Sequence, residues 1–174
     1  MNFSKVLGGS VRHRTLRYGV LLSILVNLFF GSGMAFALPV ISEFKTGDSI
    51  SASREYIAVY NNSSEAQDVS GWCLVYASAS DATKTTLGCL LPPANSKLMI
   101  EPWGKATFAT NEFATSVPGF SPDVHFNAGI SATGGHLRLL DASKQEVDKV
   151  AWGTGVSPEG SVVASATSGK ILMR

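Results

Sequence analysis

Asp123 and His125 stand two residues apart, a carboxylate and an imidazole that could form a base with its orienter or half of a metal site. A small metal-assisted hydrolase built on them would need further ligands or an activated nucleophile. The sequence has neither a G-x-S-x-G turn nor a second cluster of His, Cys and acidic residues. Ordinary polar loop residues are the simpler reading of the pair. His136 follows Gly134-Gly135 and reads as a turn residue at a strand start. The acidic turn Thr46-Gly47-Asp48-Ser49 lacks the alternating oxygen ligands of a calcium loop. Asn61-Asn62-Ser63-Ser64 contains glycosylation sequons, which outside a eukaryotic secretory route are polar loop residues. Trp103 and Phe113, both in expected loops, are the aromatics that could stack on a sugar, as in a carbohydrate-binding sandwich. No catalytic, cofactor or metal position is expected.

Cys73 and Cys89 are the two cysteines of the chain. A strand over 71–78 that turns back into 84–90 about Asp81 places them directly opposite one another. Facing Cβ atoms in such a pair lie about 5 Å apart, near the disulfide range. A bridge is expected on the face opposite Trp72, Leu74 and Tyr76, the alternative being two buried thiols. A bridge implies an oxidising compartment.

The N-terminus points the same way. Lys5, Arg12, His13, Arg14 and Arg17 precede an apolar run over 18–30, and Ala35-Phe36-Ala37 forms a small-residue cleavage pattern. Cleavage between Ala37 and Leu38 makes 1–37 a signal peptide and 38–174 the working domain. The alternative is an uncleaved membrane anchor over 18–36, since no charge occurs between Arg17 and Glu43. Either way the domain is exported, to be secreted or held at the cell envelope. Arg12-His13-Arg14 is not a twin arginine, so the general secretory route is expected. Without Lys5, Arg12, Arg14 and Arg17, ten basic residues face 13 acidic ones, and the charge falls from +1 to −3. Those ten include no basic run, which leaves no excess of cations for phosphate-driven nucleic-acid binding.

The elements that must carry these residues are short. Gly and Pro punctuate the chain, and no window keeps a helical period for three turns. Residues 39–45 read as a first strand with Val40, Ser42 and Phe44 on one face. Residues 55–61 are apolar on both faces, as in a central strand. The Trp72 strand and its partner follow, ending at Pro92-Pro93. A hairpin of 96–100 with 105–110 is expected about Glu101-Pro102-Trp103-Gly104, and another of 136–141 with 146–152. Leu137, Leu139, Val150 and Trp152 join Trp72, Leu74 and Tyr76 as expected core. Residues 169–174 read as a last edge strand. The stretch 111–133 has no strand period and is expected to be a functional loop or a crossover between sheets.

These residues together resemble the lamin tail domain, an Ig-like β-sandwich of nuclear lamins and of many exported bacterial proteins. Ile41-Ser42-Glu43-Phe44 resembles its opening I-S-E strand, and Glu55-Tyr56-Ile57-Ala58-Val59-Tyr60-Asn61 its D/E-x-[IV]-E-L-Y-N strand. Asp68-Val69-Ser70-Gly71-Trp72 is similar to D-L-S-G-W, and Leu91-Pro92-Pro93-Ala94 to an L-P-x-G turn. Leu137 to Asp141 resembles L-x-L-x-D, and Val147-Asp148-Lys149-Val150-Ala151-Trp152-Gly153 resembles V-D-x-V-x-W-G. The chain closes on Gly169-Lys170-Ile171-Leu172-Met173-Arg174, similar to G-x-S-L-x-R. It departs from the family at Ala58, where a glutamate is usual, and at Lys170-Ile171-Leu172. The resemblance implies an all-β, Ig-like sandwich of about eight to nine strands whose motif residues are structural. A sandwich with no reactive constellation and no partner domain, led by a signal peptide, is expected to be an exported, non-catalytic module that binds an unidentified protein or polymer through loops or a free strand edge. Nucleic-acid binding follows only by analogy with lamin tails.

Overall fold

The computed structural model describes residues 37–127, 129–156 and 169–173. Residues 1–36, which hold the expected signal peptide or anchor, and Arg174, the last residue of the expected edge strand, lie outside them. Among the described residues no helix is long and apolar enough to cross a membrane.

The strands are β1 (Val40–Thr46), β2 (Glu55–Tyr60), β3 (Gln67–Asp68), β4 (Cys73–Ser78), β5 (Lys84–Cys89) and β6 (Met99–Ile100). They continue with β7 (Lys105–Ala109), β8 (Val124–His125), β9 (Gly134–Leu140), β10 (Glu146–Gly153) and β11 (Leu172–Met173). One helix, α1 (Asn111–Ser116), follows β7. One sheet runs β11-β1-β2-β7-β8 and the other β10-β9-β4-β5, while β3 and β6 pair apart as a small ribbon. Among the described residues nine strands thus make the two layers of an all-β, Ig-like sandwich.

Alternation explains the core. Ile57 and Val59 of β2, Leu74 of β4, Leu137 and Leu139 of β9, and Val150 and Trp152 of β10 face inward, with Trp72 buried just before β4. Tyr76 packs partly buried against them. Trp152 lies 4.9 Å from the Phe44 ring across the sandwich, and its indole N–H donates to the Ser131 carbonyl at 2.9 Å. The large ring is therefore buried without an orphaned donor.

Strand β1 departs from the expected face. Its pairing with β2 slips between Ile41 and Glu43, so Ser42 is an extra, bulged residue. Ile41 and Phe44 both reach the core, rather than Val40, Ser42 and Phe44 sharing one side. The Ile41 N–H donates to Asp148 Oδ2 of β10 at 2.7 Å, a buried bond between the two sheets.

The expected hairpin of 96–100 with 105–110 is not formed. The turn exists, with Gly104 N–H donating to the Glu101 carbonyl, but β6 pairs with β3 while β7 pairs with β2 and β8. The Asn61 amide explains the divergence. It is fully buried and donates to the carbonyls of Glu65, Ile100 and Glu101 at 2.8–3.1 Å, drawing β6 away. That burial also makes Asn61 a structural residue rather than a sugar acceptor.

The stretch 111–133 is more structured than its composition suggests. Thr110 caps α1 by accepting from Phe113 N–H, and Glu112 sits in the first turn, where a helix N-terminus favours an acid. Strand β8 then runs parallel to β7, held by Asp123, whose Oδ2 accepts from Thr107 N–H and Oγ1 at 2.7 and 3.0 Å.

In the second sheet Cys73 and Cys89 are register partners joined by a disulfide. The bridge spans 16 residues, and closing a loop of that size contributes about 3 kcal/mol in the chain-entropy model. Thiol counting on denatured, unreduced protein should find none. The Cys73→Ala/Cys89→Ala double variant should stay folded with stability lowered by about that amount.

Candidate functional site

The outer face of the β1-β2-β7 sheet carries a second layer. Tyr56, Ala58 and Ala109 are buried there beneath Phe113 and Phe120. Phe113 stacks on Tyr56 at 5.0 Å, Phe120 meets both rings edge-on, and Lys45 Nζ lies 5.7 Å from the Phe113 centroid. Phe113 is thus a packing residue on a helix and not a loop aromatic open to sugar. The small Ala58 side chain fits under the rings, which gives its departure from the family glutamate a packing reason. Burial, followed by the nearby Glu43 carboxylate, pushes the Tyr56 hydroxyl up to about 12.

Glu55, on the face of β2 opposite Tyr56 and Ala58, is 1% exposed. Its Oε1 accepts the Ile130 N–H at 2.6 Å, and Oε2 has no hydrogen-bond partner among the described residues. Its backbone N–H donates to Thr110 Oγ1, and its carbonyl accepts from Thr110 N–H, so the residue ties β2 to the cap of α1 and to the crossover near Ile130. Burial pushes the carboxyl up to about 7, against the opposing pull of the Ile130 bond and of Lys45. Sequence reading missed this residue, because a glutamate opening a strand resembles an ordinary surface acid. Its one signal was position, next to Tyr56 at the start of a strand apolar on both faces.

Asp123 and His125 do not form a catalytic pair. The Asp123 carboxylate is spent on Thr107, and His125 is exposed on β8 with no hydrogen bond to Asp123 among the described residues. Among the described residues no group of three or more His, Cys, Asp or Glu side chains could hold a metal ion. His136 is not a turn residue. It lies inside β9, fully buried, with Nδ1 2.9 Å from the Ser78 carbonyl.

The turn at Asp48 is likewise self-contained. Asp48 Oδ1 accepts from Ile50 and Ser51 N–H and Oδ2 from Lys45. The Lys45 bond first, then that from Ser51, draw its carboxyl down to about 2. Ser70, then Lys97, hold Asp68 at about 2 in the turn that feeds Trp72.

Three features remain available to a partner. Trp103 is 59% exposed at the tip of the β6–β7 turn, with a positive φ of 61°. A groove of about 330 Å³ is lined by Ser42, Glu43, Tyr60, Lys105 and Met173, and the Glu43–Lys105 ion pair leaves it electrically balanced. The third is the rim of β5. On its inner face Gly88 meets Val124 of β8, so tightly that a Cβ there would lie 2.5 Å from Val124 Cγ1. Lys84, Thr85 and Thr86 are exposed. Ser78 N–H donates to the Thr83 carbonyl, and antiparallel pairs alternate. Tyr76–Thr85 is therefore the next bonded pair, and Lys84 and Thr86 aim their backbone N–H and C=O groups outward.

Sandwich, second layer and open rim define an Ig-like β-sandwich domain whose polar motif residues are spent on its own backbone. The family model of the lamin tail domain matches residues 34–154, and the chain belongs to that family of non-catalytic Ig-like domains. No curated protein matches it.

Glu55 gives the fold a pH dependence. The folded chain holds the Glu55 proton more tightly than the unfolded chain, whose carboxyl keeps its ordinary value of 4.5. The resulting stabilisation is complete below about pH 4.5 and is lost as pH rises through about 7. That shift corresponds to about 3 kcal/mol. Urea unfolding at pH 5 and pH 8.5 should show this fall in the wild type, and Glu55→Gln should abolish most of it. An equal fall in both proteins would contradict the assignment.

Proposed function

We propose that the domain is an exported, non-catalytic interaction module that adds an extended segment of a partner protein to the open half of β5. The carrying observation is the rim at Lys84 and Thr86, where outward backbone groups have no partner among the described residues. Strand addition draws affinity from such groups and specificity from alternate side chains. Lys84 favours an acidic residue on the incoming strand. The β4–β5 register shifts between Leu74 and Val75, so the regular outward pattern is confined to the Lys84–Thr86 half and sets a register. Few exposed apolar residues and short length ordinarily protect an edge from aggregation, and β5 is polar along its open part.

Support for export comes from the basic and apolar N-terminal pattern with Ala37-Leu38 as cleavage point, and from the Cys73–Cys89 bridge, which suits an oxidising compartment. The domain would then act in the envelope or outside the cell, secreted or anchored through residues 18–36.

Affinity capture from envelope and medium fractions, with wild type, Thr86→Ala and Thr86→Pro as baits, tests this reading. Proline removes the outward N–H of Thr86 without taking a bond from the β4–β5 ladder. Wild type and Thr86→Ala should retain the partner, and Thr86→Pro should lose it while melting within a few degrees of the wild type. Retention by the folded proline variant, or capture by none of the three, would remove the proposal.

A further inference from the structure

The Cys73–Cys89 bridge has a chemical asymmetry that its structural role does not require. Cys73 is 3% exposed on β4, whereas Cys89 is partly exposed at the end of the edge strand β5. The Lys144 ammonium, from the β9–β10 turn, reaches Cys73 Sγ at 3.0 Å. The turn is built to hold it there. Lys144 takes a positive φ of 66°, its N–H donates to the Asp141 carbonyl, and Asp141 N–H donates to the Gln145 carbonyl. The two acids nearest in sequence are committed elsewhere. Asp141 Oδ1 accepts from Gln145 N–H, and Glu146 pairs with Arg138. No ion pair with an acidic side chain is formed by Lys144 among the described residues, so its charge is directed at the sulfur.

A thiolate attacks the sulfur it can reach and expels the sulfur that best carries negative charge. Access selects Cys89 and the ammonium selects Cys73. We infer that this bridge is a directional thiol-exchange site, opened at Cys89 by an external dithiol reductant, with Cys73 leaving as a thiolate beside Lys144. In the first step one reductant thiolate forms a mixed disulfide with Cys89 Sγ. The Cys73–Cys89 bond breaks, and its electron pair stays on Cys73 Sγ. The second reductant thiol, as thiolate, then displaces Cys89, so that the reductant ends as a disulfide and the protein as a dithiol. Two electrons pass from the reductant to the protein, and the two protons the reductant gives up end on the two protein sulfurs or in solvent according to pH. Strand β4 remains paired with both β5 and β9, so reduction is local and leaves the sandwich standing. The inference rests on the bridge and Lys144 alone, independently of strand addition.

The test treats the oxidised full chain with glutathione, quenches with iodoacetamide and maps the two cysteines by mass spectrometry. Glutathione should be found on Cys89 and the alkyl group on Cys73. Adduct on Cys73, or equal labelling of both, overturns the inference, and this arm needs no substitution. In a second arm dithiothreitol reduces the wild type, Lys144→Gln and Lys144→Arg at neutral pH. The glutamine variant should react roughly three- to fivefold more slowly, because the departing thiolate has lost its neighbouring cation. The arginine variant should stay near wild type. In the reduced proteins the alkylation midpoint of Cys73 should lie below that of Cys89 and rise in Lys144→Gln. Equal reduction rates for wild type and Lys144→Gln also overturn it.

Discussion

The hydrogen bond from the Ile41 N–H to the Asp148 carboxylate is the joint on which the two layers depend. Asp148, Val150 and Trp152 face inward from β10, opposite Leu139, Leu137 and Gly135 of β9. An acid at the first of these positions would be costly in an apolar core without a donor to meet it. The donor comes from β1, whose bulge at Ser42 lets both Ile41 and Phe44 turn inward. Strand β10 has its own irregularity between Glu146 and Asp148, so both strands deform where the sheets meet. Once this joint is made, Phe44 meets Trp152 and the side of the sandwich is closed.

Motif residues that look chemical are explained in the same way. Asn61 holds three carbonyls, Asp123 docks β8 on β7, and Glu55 anchors the crossover at Ile130. Each polar side chain satisfies backbone groups that burial would otherwise orphan. Such a scaffold leaves recognition to its rim, its turn tips and its shallow groove, which suits a module that binds rather than reacts.

Much of the sandwich was legible because burial on one face writes a period of two. Trp72, Leu74 and Tyr76, or Leu137 and Leu139, align by this period alone, and the register of Cys73 with Cys89 follows from the same parity. Insertions of one residue were not legible. The run Val40-Ile41-Ser42-Glu43-Phe44 fits neither parity throughout, because the bulge at Ser42 turns both Ile41 and Phe44 inward. The Pro-Trp-Gly turn suggested a hairpin, but Asn61, distant in sequence, redirects β6. Six residues of α1 are too few to show a helical period, and its role depends on Tyr56 across the sheet. Within the candidate sites, the spacing of Asp123 and His125 was visible while the carboxylate's partner Thr107 was not. The approach of Lys144 to Cys73 is tertiary and leaves no trace in spacing.

Asp148, the acidic residue of the Val147–Gly153 segment, serves the joint between the sheets. Equilibrium urea unfolding of wild type, Asp148→Asn and Asp148→Ala measures it directly. Asparagine keeps an oxygen for the Ile41 N–H and should retain most of the stability. Alanine leaves that N–H buried and unpaired and should lose about 2–4 kcal/mol, the bond to a charged acceptor together with the orphaned donor. An alanine variant as stable as the wild type would contradict the account.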